Sequence, residues 1–414
     1  MGVVGSGKSS FIQLLVDDDV NVGHDLSTGT THVKFYGFHD ERHQRNVFLI
    51  DTPGLNDATR SDAAILKEIA FTLTSLYRKK IPLAGIVYLH DIRAKRMAGS
   101  NTRSLRMLKE MCGEPAYPHV ILAANMGGSP DTAARDETIL RDLVSRPDWW
   151  GDMKAGGCHV TSHVNDVQSA ERILQLLVNG QNNDTAFAIQ REMVDENRSL
   201  EDTGAGRELE REIHEARDKL RASIGELMSE EQHATEVGLK SALARQREEM
   251  QQGLQRADEA HQAIQISLDR LSDEQGLEML KRLEREQQEN EDILAELEKD
   301  RARAQARQIQ RETELSEESR QLAEQLSASG RNSSLSDTEM RNVQEKLRAV
   351  QMRRDEEKAK GEETMEELRN KKEAAEKRRL RRKQVTSVIF RVLVGTATIV
   401  AAVVAMDPSI AMGV

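Results

Sequence analysis

The residues best suited to chemistry stand in the stretch "MGVVGSGKSSF". Gly2, Gly7, Lys8 and Ser9 fill the fixed positions of the phosphate-loop pattern G-x-x-x-x-G-K-[ST]. Glycines let successive backbone N–H groups turn inward on phosphate oxygens, and Gly5 adds a further position without a Cβ. Lys8 offers a mobile point charge to β- and γ-phosphates, and Ser9 offers a hydroxyl to Mg2+. Ser6 and Ser10 belong to the same binding stretch. "SSFIQLLV" reads as a helix with Phe11, Ile12, Leu14 and Leu15 on its apolar side, and its positive end favours an anion. The competing reading is a Gly/Ser turn with a surface lysine. A full motif followed by an apolar helix argues against it.

A second cluster lies in "NVFLIDTPG". Val47 to Ile50 read as a short buried strand that delivers Asp51 to its end. An Asp there can hold Mg2+ through water, and the Gly54 N–H can meet a γ-phosphate. Between the clusters, "LSTGTTHVKFYGF" brings threonines just before an alternating strand, His32 to Phe38. Thr30 is the expected closing residue over Mg2+ and the γ-phosphate, with Thr31 as the fallback. An ordinary threonine-rich turn is the bland alternative.

Such residues need an α/β frame. "AAILKEIAFTLTSLY", "TRSLRMLKEMC", "DETILRDLVS" and "VQSAERILQLLV" read as helices. "LAGIVYLHD", "HVILAAN" and "GCHVTSH" read as strands between them. That alternation predicts a mostly parallel, doubly wound sheet with ligand at the carboxyl ends of its strands. A buried strand should lead into Gly2. Only Met1 stands there, so the expectation is a truncated first strand, with Met1 an internal residue of a longer gene. "MGVVGS" also fits a myristoylation pattern, but the phosphate loop already accounts for those residues.

With "VGHDLSTGTTHV", "FLIDTPGLND", "LAGIVYLHDI" and "HVTSH" in that order, about residues 1–180 resemble the septin-like (paraseptin) P-loop GTPases. They look most like the immune-associated (GIMAP) type and its fungal relatives, with the chloroplast import GTPases more distant. The resemblance implies GTP/GDP and Mg2+ as cofactors and nucleotide-dependent pairing of two G domains. It places Gly5, Lys8 and Ser9 on phosphate and metal, Thr30 in the first switch, and Asp51 and Gly54 in the second. Two departures stand out. Where a typical GTPase has N-K-x-D, this chain reads "AANMGG": Asn125 matches, Met126 stands for the Lys and Gly128 for the Asp. Guanine selectivity is left without its usual carboxylate, for which Asp131 is a substitute by position. Where small GTPases carry a water-orienting glutamine stands Leu55, which predicts slow intrinsic hydrolysis unless a partner assists. Ser162 meets the base by analogy alone. Lys8 and Thr30 are thus the expected catalytic residues, and Ser9, Thr30 and Asp51 the metal ligands.

The whole chain has 414 residues, a net charge of −11 and only 3% aromatics, fewer than a compact chain of that size carries. Six of its seven prolines lie at or before Pro147 and the last is Pro408, so the interval reads as helix. The expected organisation is a G domain over 1–187, a coiled-coil region over 188–384, an apolar helix over 385–406 and a tail over 407–414. Cys112 and Cys158 fit a reducing, cytoplasmic setting rather than a disulfide framework. The acidic balance argues against a nucleic-acid partner. Trp149 and Trp150 read as packing residues. His24, His32, His39 and His43 are too scattered for zinc.

In the helical region Met250, Leu254, Ala257, His261, Ile264, Leu268 and Leu271 keep a four-three spacing that seats one helix on another. Met340, Val343, Leu347 and Val350 repeat it. "LSASGRNSSLSD" (326–337) breaks the pattern as a hinge or hairpin tip, leaving homodimer and intramolecular hairpin both open. "KKEAAEKRRLRRK" then carries eight basic and two acidic residues. It precedes "VTSVIFRVLVGTATIVAAVVAM", whose twenty-two residues would just span a bilayer. The expectation is a cytoplasmic protein anchored in a membrane by its tail. The alternative is an apolar helix end packed on the G domain or on a twin chain. The leading reading is a GTP-binding switch on a helical arm. Its rivals are a coiled-coil membrane tether with a degenerate nucleotide domain, and an ATP-binding P-loop protein.

Overall fold

The computed structural model describes residues 1–16, 30–40, 45–57, 59–92, 99–126, 133–178, 185–332 and 337–390. They form two compact units. One holds Met1–Leu280 with the described residues from Val385 onward, and the other is Lys281–Gln384.

The first unit begins with a short helix, α1 (Lys8–Gln13). Strands β1 (Lys34–Asp40) and β2 (Arg45–Asp51) pair antiparallel, with Lys34 opposite Asp51. Helix α2 (Asp62–Arg78) follows, capped by the Ser61 hydroxyl, which accepts from the Ala64 N–H. Then come β3 (Ile86–Asp91), α3 (Gly99–Cys112), β4 (Val120–Asn125), α4 (Ala133–Ser145), α5 (Asp152–Ala155), β5 (His159–His163) and α6 (Val167–Val178). Strands β3, β4 and β5 pair in parallel in that order. All six residues of β4, "VILAAN", are buried, as a strand covered on both faces requires. Phe11, Ile12, Val16, Tyr36, Leu89, Ile121, Ala170 and Ile173 close one core layer. Each large apolar side chain there contributes about 1.5–3 kcal/mol by leaving water. The α/β fold expected from the sequence is the fold observed.

Residues 1–4 have a definite place. The Met1 amino group donates to Val87 O at 2.6 Å, and Leu89 N donates to Met1 O at 2.9 Å. On the other side Val3 bridges Leu55 in parallel, and Val4 N donates to Leu55 O at 3.4 Å. Residues 1–4 therefore lie between β3 and the segment that follows β2.

Three further helices complete this unit: α7 (Ala188–Gln190), α8 (Gly204–His233) and α9 (Val237–Ile264), followed by the start of α10 (Leu268–Asn332). Helices α8 and α9 run antiparallel, tied by Arg217–Asp258 (2.7 Å) and Arg247–Glu231 (3.0 Å). The stripe from Met250 to Leu271 does not run along one helix. It is cut after Ile264, where Leu200 N donates to Ile266 O at 2.9 Å and holds a turn. Ile264, Ile266, Leu268 and Leu271 are all buried at that corner, so the spacing serves two helices meeting at a bend.

The second unit is an antiparallel helical hairpin of α10 and α11 (Asp337–Ile389). Ion pairs Arg382–Glu286 (3.4 Å), Arg379–Glu291 (3.6 Å) and Lys372–Glu298 (2.9 Å), with Arg311–Glu357, descend in one register. Together they set one antiparallel register between the described parts of the two helices; residues 333–336, within the expected break, lie outside the described part. Gly361 lets the helices approach: a Cβ there would sit 2.6 Å from the Gln308 Cδ.

The expected membrane-anchored, cytoplasmic placement is corrected by the structure. Among the described residues no helix is long and apolar enough to cross a membrane. The physical reason is visible at the start of the expected span. Val385 approaches Gly37 of β1, and Ile389 and Phe390 are buried against protein. Members of the preceding basic run are paired with α10 glutamates. The rest of the expected span, 391–406, lies outside the described residues.

Candidate functional site

The loop before α1 closes around its own lysine. Gly7 has φ 92°, and a Cβ there would sit 2.5 Å from the Asn125 Nδ2, so glycine is required on both counts. Gly2 (φ 138°) lies against the Leu89 carbonyl, and Gly5 has φ 80°. Lys8 is buried and its Nζ donates to Gly2 O (3.2 Å) and Val3 O (3.0 Å), two carbonyls of its own loop. Burial lowers its pKa to about 8, against the opposing pull of Asp51 and Asp57. Nearby, burial above all, helped by Lys8, lowers the Met1 ammonium to about 5. The cradle thus holds a cation short of negative charge.

Beside it three oxygens converge. Ser9 Oγ donates to Asp51 Oδ2 at 2.8 Å, Thr30 Oγ1 donates to the same oxygen at 2.9 Å, and the two hydroxyls are 2.7 Å apart. Ser9 comes from α1, Asp51 from the end of β2, and Thr30 from the segment entering β1. The structure therefore brings together all three residues expected to hold a metal. Asp51 is 2% exposed, and among the described residues its Oδ1 has no partner, nor does the Oγ of fully buried Ser6. An orphaned carboxylate oxygen in a ring of hydroxyls fits a hard cation, which prefers oxygen ligands. Among the described residues no group of three or more His, Cys, Asp or Glu side chains is placed to hold a metal. His32 and His39 face Glu68 and Asn46 respectively, while His24 and His43 lie outside the described part.

Gly54 packs directly on the loop; a Cβ there would sit 2.5 Å from Val4 N. Leu55 is 4% exposed, held in its bridge to Val3. Ser10 is half-buried in α1. Asn125 stands at the end of β4, 7% exposed, and its side-chain N–H donates to Ser6 O at 3.1 Å. Its observed contact is thus with the loop backbone. Asn125 and Gly7 are a matched pair across the cradle, a link that sequence separation hides. Gly128 and Asp131, and so the segment expected to read the base, lie outside the described residues. Ser162 is half-buried in β5. Its neighbour His163 is fully buried, bonded to the Ser169 hydroxyl at 2.8 Å and edge-on to Phe11. Burial lowers its pKa. Trp150 is also fully buried, while Arg146 lies 4.3 Å from the centre of the Trp149 ring.

The sequence reading passed over Glu68. It stands in "AAILKEIAF", an acidic residue at helical spacing from Ile65 and Thr72, and it is 1% exposed. A charge on the apolar face of a helix was the available signal.

Residues 1–126 match the family model described as 50S ribosome-binding GTPase (MMR_HSR1). With the loop, Asp51 and the parallel sheet, this makes the first part of the chain a P-loop GTPase domain. No curated protein matches the chain. Among solved structures it is similar to a dimerization-deficient mutant of Toc33 from Arabidopsis thaliana, at 14% identity and TM-score 0.34, covering 44% of this chain and 84% of that one. It is likewise similar to Toc33 in complex with GDP and Mg2+, at 14% identity and TM-score 0.33, with the same coverage.

Proposed function

We propose that the chain is a guanine-nucleotide switch that binds GTP and GDP with Mg2+ and hydrolyses GTP slowly or with a partner's help. The observation that carries this is the cluster of Ser9, Thr30 and Asp51 beside a desolvated Lys8. In this reading Lys8 exchanges the carbonyls of Gly2 and Val3 for phosphate oxygens, which favour its charged form. Ser9, Thr30 and Asp51 hold Mg2+, which neutralises charge on the β- and γ-phosphates. The Gly54 N–H senses the γ-phosphate, in a segment whose Cα side packs on Val4. Asn125 holds the loop at Ser6, so Gly2, Gly5, Ser6, Gly7 and Ser10 keep their backbone groups turned inward. Leu55 is buried and apolar, which supports slow hydrolysis: it can orient no water. Pairing of two chains, expected from the family resemblance, would bring an outside polar group.

The test is a titration of the full chain with fluorescent GTP and ATP analogues plus Mg2+, with Lys8→Ala as control. Micromolar GTP binding that the control loses and ATP does not share supports the reading. Equal binding of both nucleotides favours a P-loop protein without base selectivity. No binding by folded protein rejects the reading. Turnover near ~10 s⁻¹ by the isolated monomer, an ordinary enzyme's rate, would reject slow hydrolysis.

A further inference from the structure

The segment behind Thr30 is fastened to α2 by a buried carboxylate. Glu68 Oε1 accepts from Val33 N at 2.9 Å, and Oε2 accepts from Arg60 Nη1 at 2.8 Å. Arg60 also donates to the Thr31 carbonyl. His32 Nδ1 stands 3.4 Å from Glu68 Oε2. Residues 31–33 are therefore gripped immediately after Thr30, the residue bonded to Ser9 and Asp51. Arg60 itself stands between Gly54 and α2. Its loop is ordered by Asp57, which accepts from the Thr59 and Arg60 N–H groups, and by Asp62, which accepts from Asn56 N at 2.6 Å.

A carboxylate 1% exposed is costly unless it is paired. Among the described residues it takes partners from two segments, the Thr30 side (Val33 N and His32) and the Gly54 side (Arg60). Release of residues 31–33 would strip Glu68 of the Val33 N–H and leave Arg60 without its Thr31 acceptor. The closed position of Thr30 and the present position of the Arg60 loop are thus favoured together.

We infer that Arg60 and Glu68 are positioning residues that latch the two phosphate-sensing segments to each other. They favour the triphosphate-bound form by holding Thr30 over the cation. This rests on the proposed switch function. Neither residue touches nucleotide. Their contribution is selectivity between nucleotide states, since a contact made in only one state shifts the balance toward it.

The experiment measures affinities of the full chain for GDP and for a non-hydrolysable GTP analogue, both with Mg2+, in wild type, Arg60→Ala, Arg60→Lys and Glu68→Gln. Arg60 lies at the surface side of the pair, so its replacement spares the core, and thermal melts confirm folding. The expected result is a preference for the triphosphate lowered by about tenfold in Arg60→Ala, GDP affinity within about twofold of wild type, and partial rescue in Arg60→Lys. An unchanged ratio in wild-type-like folded variants overturns the latch, and so does equal weakening of both nucleotides. Wild type that binds neither nucleotide overturns the proposed function and the latch with it. A second measurement needs no variant: amide hydrogen exchange at Val33. Slower exchange with the triphosphate analogue than with GDP supports the latch, and equal exchange overturns it.

Discussion

The nucleotide cradle and the helical hairpin of Lys281–Gln384 use glycine for the same purpose and tolerate its loss differently. Gly54 and Gly361 each leave room for a close neighbour. At Gly54 the neighbour is the backbone of Val4, fixed by its bond to Leu55. At Gly361 it is the end of the Gln308 side chain, which can swing away. The cradle is built of backbone groups and buried polar atoms whose positions are mutually determined. The hairpin is built of solvated ion pairs, each of which contributes little by itself. One region is specific because nothing in it can move alone, the other because many weak pairs share one register.

The largest effect should come from the cradle's charge. Lys8→Ala should weaken nucleotide binding by about a hundredfold or more, about 3 kcal/mol of charge-assisted hydrogen bonding. Equilibrium titration checks this, and a loss under tenfold would blunt the contrast with the hairpin. Gly54→Ala comes next, at about 2–3 kcal/mol of stability, because rigid backbone meets the new methyl; urea denaturation reads it. The same denaturation of Gly361→Ala should show a change within about 0.5 kcal/mol or a gain, since helix propensity improves. Comparable losses at both glycines would break the comparison outright.

The pH dependence sharpens the same point. Lys8 has its folded pKa lowered from 10.5 to about 8, so the unfolded chain binds the extra proton between those values. Stability of the nucleotide-free protein should therefore rise as pH increases from about 8 to about 10.5, by at most about 3 kcal/mol from this group. Lys8→Met should remove that part of the slope while stabilising the protein below pH 8. Nucleotide affinity should move oppositely, falling roughly tenfold per pH unit above about 8, because phosphate favours the charged amine. The smallest effect belongs to the hairpin: Arg379→Ala, which breaks the pair with Glu291, should cost within about 1 kcal/mol and lose even that in high salt.

How legible each region was follows from the range of its interactions. The loop from Gly2 to Ser9 could be read because backbone-to-phosphate geometry needs particular residue types at fixed offsets. Asp51 and Thr30 were readable because a strand end and the turn before a strand are local features. Helix α6 was found end to end, since "VQSAERILQLLV" carries unbroken helical spacing. The bend after Ile264 was missed because an apolar spacing that runs through a turn looks the same as one that runs through a helix. The membrane anchor was expected from an apolar run of spanning length behind a basic stretch, and that pattern does not distinguish lipid from a protein surface such as the one Val385 meets beside Gly37.

The sequence by itself determined the phosphate loop and the alternation of strands and helices. Each depends on residues close together along the chain. Only the tertiary structure decided that Asn125 braces Gly7 and Ser6, that Glu68 grips Val33 and Arg60, and that residues 1–4 lie between β3 and the Leu55 segment. It also decided that α10 and α11 pair with each other within one chain. These are matters of distance in space, and a buried polar group shows which partner satisfies it only when the chain is folded around it.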